Sequence, residues 1–239
     1  RLTDDSIKGS FNYEHPNFNY SDRALSTSFD VIETDKLTDF GYKSSLNSFS
    51  LGTSYEQFEN TFFSPKFSIS SESLETTTDA SEAYKKQEGS YFDTSFAYGL
   101  SFDKRNSAYQ PSSGFYSNWY QQLPIVSENQ TIVNGYIITG YKELVDDMII
   151  STGIYTRAVN SLSNDDVRVS RRLYVPSSRL RGFESGKVGP KDGNDFIGGN
   201  YATSVNIQTS IPQLLPNIQN MDISMFLDAG NVWGVDYDS

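Results

Sequence analysis

The clearest order in this chain is a two-residue alternation. Phe92, Thr94, Phe96, Tyr98, Leu100 and Phe102 alternate with Asp93, Ser95, Ala97, Gly99, Ser101 and Asp103. Successive side chains of a strand point to opposite faces, so this segment predicts a strand with one aromatic face and one small or acidic face. The alternation returns at Leu25–Val31, Met148–Ala158, Tyr201–Ile211 and Met221–Leu227, and less regularly near 7–13, 40–53, 61–71, 114–123 and 131–143. The pattern predicts an all-β chain of roughly ten antiparallel strands, with no convincing helix and no internal repeat.

Strand length and loop length narrow the architecture. A tilted strand needs about 9–11 residues to cross a bilayer, against about 5–6 in ordinary sheets, and several segments run to the longer figure. The connections 104–113 and 143–147 read as tight, whereas 73–90 and 160–199 are long and polar. Short turns on one rim and long loops on the other are the habit of transmembrane barrels. In Asp103-Lys-Arg-Asn-Ser-Ala-Tyr-Gln-Pro-Ser-Ser-Gly114, Pro111 presets one backbone angle and Gly114 tolerates a positive one, which predicts a chain reversal.

Composition agrees with a barrel whose centre is wet. The 239 residues contain no Pro/Ser/Gly-rich linker, so residues 1–239 read as one partial barrel domain that includes the long loop 160–199. Only 36% of residues are hydrophobic and the mean hydropathy is -0.50, too low for a conventional core of this size. No stretch approaches the ~20 apolar residues of a membrane-spanning helix. The chain begins at Arg1 with no charged n-region or apolar h-region, so a signal peptide is either absent or lies outside this sequence, and there is no Cys.

Charge and site chemistry exclude several function classes. The net charge of -11 argues against a nucleic-acid surface. Locally, Arg157, Arg168, Arg171, Arg172, Arg179 and Arg181 crowd one region, which reads either as a solvated loop or as cations facing an acidic lumen or lipid headgroups. His15 is the only histidine, which leaves no histidine-rich zinc site or two-histidine catalytic arrangement. The glycines from Gly182 to Gly199 precede a strand and match no phosphate loop. Asp192 and Asp195 lack calcium-loop spacing, and the Asn129-Gln-Thr131 tripeptide carries no weight as a glycosylation signal. The expectation is no enzyme, no cofactor and no metal.

The run Tyr174-Val-Pro-Ser-Ser-Arg-Leu-Arg-Gly-Phe183, followed by Gly186-Lys-Val-Gly-Pro-Lys191, Gly198-Gly-Asn200 and Phe226-Leu-Asp-Ala-Gly230, resembles the BamA family of outer-membrane protein assembly factors, the bacterial surface antigen barrels. The turn 103–114 also resembles a periplasmic turn of that family. The resemblance implies that a long loop folds back into the barrel lumen and docks its arginine on an acidic wall residue. The docking group it implies is Arg181, Gly182, Phe183 and Asp228, with Gln208 as a further member. By alternation Asp228 faces inward with Asp222 and Ser224, and Gln208 faces inward with Ala202, Ser204, Asn206 and Ser210. The family usually carries glutamate where this chain has Gln208, so docking is expected to be weaker or to use another acid. Gly182 allows a sharp turn while Phe183 packs into the barrel.

The resemblance further implies roughly ten of the family's sixteen strands, without the preceding POTRA domains, as in a fragment. The implied function is folding and insertion of β-barrel precursors in the bacterial outer membrane without nucleotide. The implied partners are unfolded outer-membrane protein precursors, outer-membrane lipids and assembly-complex lipoproteins, and no nucleic acid. The alternatives are a two-partner secretion or autotransporter-assembly barrel of the same superfamily, and, outside it, a passive porin or a soluble β-sandwich binding module.

Overall fold

The computed structural model describes residues 2–3, 6–36, 41–78, 80, 82–145, 148–192, 195–211 and 223–235. Its strands in chain order are β1 (Leu2–Thr3), β2 (Ser6–His15), β3 (Ala24–Lys36), β4 (Tyr42–Phe58), β5 (Thr61–Thr76), β6 (Gly89–Asp103), β7 (Gly114–Ser127), β8 (Thr131–Val145), β9 (Met148–Ser161), β10 (Lys191–Asp192), β11 (Asp195–Phe196), β12 (Tyr201–Ile211) and β13 (Ile223–Trp233). All but β10 and β11 form one sheet in the order β1-β2-β3-β4-β5-β6-β7-β8-β9-β12-β13, and every neighbouring pair is antiparallel. The sheet is open among the described residues, and no second large sheet packs on it, so the architecture is a barrel wall and not a sandwich. Strands β2 to β9 run to 10–17 residues, long enough to cross a bilayer when tilted.

The two faces differ as the alternation predicts. Register places Phe11, Phe29, Phe49 and Ile69 side by side across β2 to β5, and one step along places Leu51, Phe67, Phe96 and Leu123 across β4 to β7. Most of these large apolar side chains are exposed, Phe29 by 48% and Phe49 by 44%. A row of exposed aromatic and aliphatic groups of this extent is costly in water and suits an acyl-chain environment. The opposite face is dominated by small and polar groups, among them Ser28 and Ser50, whose hydroxyls hydrogen-bond at 2.6 Å.

That inner face is not simply wet. The long loop between β9 and β12 packs against it, and the buried apolar residues cluster there. Val167, Leu173, Val175 and Leu180 of the loop meet Val133, Tyr155, Val159, Ala202 and Val232 of the wall. A second group joins Val169 and Ile197 of the loop to Tyr42 and Leu74 of β4 and β5 and to Ala80 and Tyr84. The loop therefore supplies the core that the strands lack, although by composition it reads as polar. Leu173 and Gly199 tie its two ends together as an isolated antiparallel bridge, with N–H···O distances of 2.8 and 3.1 Å.

The connections need three corrections. The segment 73–90 is not all loop: β5 runs on to Thr76, and residues Glu82–Lys85 form a short α-helix, α1, where no helix is expected. On the same rim the link between β7 and β8 is only residues 128–130, so long loops are not universal there. The link 104–113 is ten residues long and gains its order from side chains. Arg105 donates to both carboxylate oxygens of Asp103 at 2.8 and 2.6 Å, and Asn106 Oδ1 accepts from the backbone of Ser112 and Ser113. Gly114 closes it at φ +89°, as its position predicts. Met221, Asp222 and the turn residues 146–147 lie outside the described residues.

Strand β7 contains Pro124, which cannot donate to a ladder. Thr94 faces Val126 while Ser95 faces Pro124, so Ile125 is the extra residue of a β-bulge that accommodates the proline inside the sheet.

The sidedness is directly testable. Phe96 sits mid-strand on the outward face, so Phe96→Arg is expected to destabilise the folded protein in lipid by about 2–4 kcal/mol. Phe96→Leu keeps the face apolar and should cost under about 1.5 kcal/mol. Urea-unfolding midpoints of the two variants in phospholipid vesicles compare them.

Candidate functional site

The loop tip meets the wall at β12 and β13. Antiparallel register sets Asn206 opposite Asp228 and Gln208 opposite Phe226, so all four side chains share the inner face. The chain descends into this corner through the 3₁₀ turn Ser177–Arg179, whose Arg179 carbonyl accepts a 2.6 Å hydrogen bond from Asn206 Nδ2. Leu180 is buried in the loop–wall core and fixes the approach.

Arg181 then forks onto the wall. Its Nε donates to Asp228 Oδ2 at 2.7 Å, its Nη2 to Oδ1 at 2.7 Å and its backbone N–H to Oδ2 at 2.9 Å. Nη1 donates to Gln208 Oε1 at 2.6 Å, and Asn206 Nδ2 donates to Asp228 Oδ1 at 2.8 Å. The guanidinium carbon lies 3.8 Å from the centroid of the Phe226 ring. A planar five-donor fork matches a carboxylate edge and an aromatic face at once, which an ammonium could not do. The hydrogen bond to Asp228 raises the Arg181 pKa further above its ordinary value, so the tip stays cationic.

The structure therefore brings Arg181, Gln208 and Asp228 together and treats the other two expected members differently. Gly182 adopts φ +84°, a left-handed conformation that side-chain-bearing residues avoid, and a Cβ there would touch nothing within 4 Å. Its contribution is backbone shape rather than space. Phe183 does not pack into the barrel: it is 60% exposed. Leu180, before the left-handed turn at Gly182, fills the apolar role.

Of the two expectations for Gln208, weaker docking or the use of another acid, the described residues show no other acid at the tip. The Gln208 amide oxygen supplies the acceptor that a carboxylate would, without adding a second charge. Among the described residues the tip has one ion-pair partner, Asp228, whose side chain is 2% exposed.

Asn206 and Phe226 belong to the site without having been singled out. The signal for Phe226 was present, because the alternation that turns Asp228 inward turns Phe226 inward too. The arginine-rich run also resolves into distinct fates. Arg179 lies over the Tyr155 ring at 5.4 Å, while Arg168 and Arg171 go to carboxylates on β5 and β6. These cations face the lumen and not headgroups.

The described residues contain no cluster of three or more side chains suited to hold a metal ion. What the corner can do is mechanical: hold a loop against a wall through one charged fork.

Two substitutions grade that hold. Gln208→Glu should strengthen docking by about 1 kcal/mol, the difference between a neutral and a charged acceptor. Asp228→Asn should weaken it by roughly 2 kcal/mol. The rate of tryptic cleavage after Arg179 and Arg181 in the folded protein should rise in the order Gln208→Glu, wild type, Asp228→Asn.

A sequence model described as the Omp85 superfamily domain matches residues 2–239. No curated protein sequence matches the chain at a significant level. Among solved structures, BamA from Haemophilus ducreyi lacking POTRA domains 1-3 superposes with a TM-score of 0.86 at 21% identity, covering 96% of this chain and 50% of that one. CdiB from Acinetobacter baumannii superposes with a TM-score of 0.54 at 13% identity, covering 94% of this chain and 40% of that one. The chain thus spans about half or less of the solved chains whose fold it shares. With an antiparallel barrel wall, a loop folded into its lumen and a family match over almost its whole length, this chain belongs to the Omp85 superfamily.

Proposed function

We propose that this chain is part of an outer-membrane β-barrel assembly factor, which folds β-barrel precursors and inserts them into the bacterial outer membrane without nucleotide. The observation that carries the reading is the arginine fork of the loop tip on Asp228, set in an Omp85 barrel wall. In this reading the protein is not an enzyme. It works by exposing sheet edge and by deforming lipid.

The physics of such a step needs no covalent chemistry. An unpaired strand edge offers a row of N–H and C=O groups on which a precursor strand adds by β-augmentation. A barrel shorter than the surrounding bilayer thins it, and that lowers the barrier for the new strands to enter. The wall and loop described above are the supporting side of that device: the Arg181 fork holds the loop seated, so the wall keeps one shape while an edge elsewhere opens. The partners in this reading are unfolded outer-membrane protein precursors, outer-membrane lipids and accessory lipoproteins, with no nucleic acid.

A second reading is a translocation barrel of the same superfamily, favoured by the fold shared with CdiB. The closer superposition on BamA supports the assembly factor over it. Superfamily membership weighs against a passive porin.

The test uses the full-length protein in liposomes supplied with an unfolded outer-membrane barrel protein. Arg181→Ala and Asp228→Ala should each lower the yield of inserted, protease-resistant product by about tenfold, as a loss near 1.4 kcal/mol implies. Wild-type insertion by both variants would refute the assembly reading of the tip. Secretion of a soluble exoprotein by the wild type, with no insertion of barrels, would favour translocation instead.

A further inference from the structure

The loop has a second charged contact, on a different part of the wall, and its arginine is buried more deeply than Arg181. Arg168 is 1% exposed. Its Nη1 donates to Glu72 Oε2 at 3.0 Å and its Nη2 to Asp93 Oδ2. Arg171 Nη2 reaches the same Asp93 oxygen at 2.6 Å. Ser127 Oγ donates to the other oxygen, Oδ1, at 2.5 Å, and the Arg168 guanidinium lies 4.3 Å from the Tyr91 ring centroid. The backbone N–H of Val169 donates to Gln87 Oε1 at 2.7 Å, which adds the turn after α1. In these contacts two arginines meet two carboxylates, and residues from β5, β6 and β7 converge on the node.

Position gives the node its meaning. Strands β5 and β6 are separated from β12 and β13 by β7, β8 and β9 in the sheet. The loop is therefore strapped between two parts of the wall. By strand direction, the node lies at the rim that carries the long loops, where β5 ends and β6 begins.

The two contacts differ in how readily they exchange with water. Glu72 and Asp93 are 4% and 5% exposed, and Tyr42, Leu74, Ala80, Tyr84, Val169 and Ile197 form an apolar group beside them. Separating Arg168 from its acids strands desolvated charges on both sides. Asp228 is as buried as those acids, at 2%, but the Arg181 side chain that covers it is 29% exposed and borders a polar lumen cavity of about 220 Å³ lined by Thr139, Ser151, Ser178 and Arg179, so water reaches the guanidinium there and not at Arg168.

We propose that Arg168, Glu72 and Asp93 form a permanent anchor that keeps the long-loop mouth of the lumen closed when the Arg181 tip lets go. The inference rests on the assembly reading only for the idea that the tip lets go during work. The anchor stands on its own geometry.

Ion conductance of the full-length protein in planar bilayers reads the mouth directly. Arg168→Ala and Glu72→Gln are expected to raise conductance several-fold, while Arg181→Ala stays near wild type. Folding of each variant is checked by its heat-modifiable gel mobility. If Arg168→Ala does not fold, Glu72→Gln decides alone, since it keeps the shape and an acceptor. Wild-type conductance in a folded Glu72→Gln or Arg168→Ala protein would overturn the proposal, and so would an equal rise in Arg181→Ala. Failure of the assembly reading shows in the insertion yield and leaves the conductance comparison intact.

Discussion

Every feature of this chain is subordinate to the need to pair its backbone. A wall one sheet thick has no helix or second layer to satisfy stray N–H and C=O groups, and lipid offers them nothing. An antiparallel ladder that runs through every strand but β10 and β11 meets that need, and it is the reason the strands are long and the register nearly continuous. The register shifts at three places, between Glu56 and Phe58, between Glu143 and Val145, and at the bulge around Ile125, where it admits a proline that could not donate. The ladder also fixes sidedness, because a slip of one residue would turn every aromatic group inward and every serine outward.

Sidedness creates a problem on the inner face that the loop solves. Charged and polar groups lining a lumen must find partners or water, and the strands contribute acids there: Glu72, Asp93 and Asp228. The loop brings the matching arginines and, around them, the valines, leucines and isoleucine that bury against the wall. A polar segment by composition is thereby a core-forming segment by position. The same segment carries the positive-φ Gly182 directly after the fork.

Much of this was legible from the residues. Regular alternation gave β6, β9, β12 and most of β13, and with them the inward direction of Gln208 and Asp228. What escaped were positions whose role comes from a distant neighbour. Glu72 sat at the boundary between a weakly alternating strand and a supposed loop, so its face could not be assigned. Asp93 was on the inner face by alternation, yet nothing local marked Arg168 as its partner. The placement of Phe183 failed for a related reason: Arg-Gly-Phe fixes a turn, but which side of the turn meets the wall depends on Leu180 and on the strands opposite. Helix α1 is four residues long, below what periodicity can reveal.

The sequence distances spanned by the loop contacts carry a kinetic meaning. Neighbouring strands join residues close in the chain, so the wall can grow hairpin by hairpin at modest entropic cost. Arg168 meets Glu72 across 96 positions and Asp93 across 75, and Arg181 meets Asp228 across 47. The Arg168 bonds need β5 and β6 and the Arg181 bonds need β12 and β13, so the loop is fully seated only when both hairpins exist at the right separation. Seating of the loop is therefore a late event in the birth of the molecule, and it reports that the strands between the two hairpins have been counted correctly.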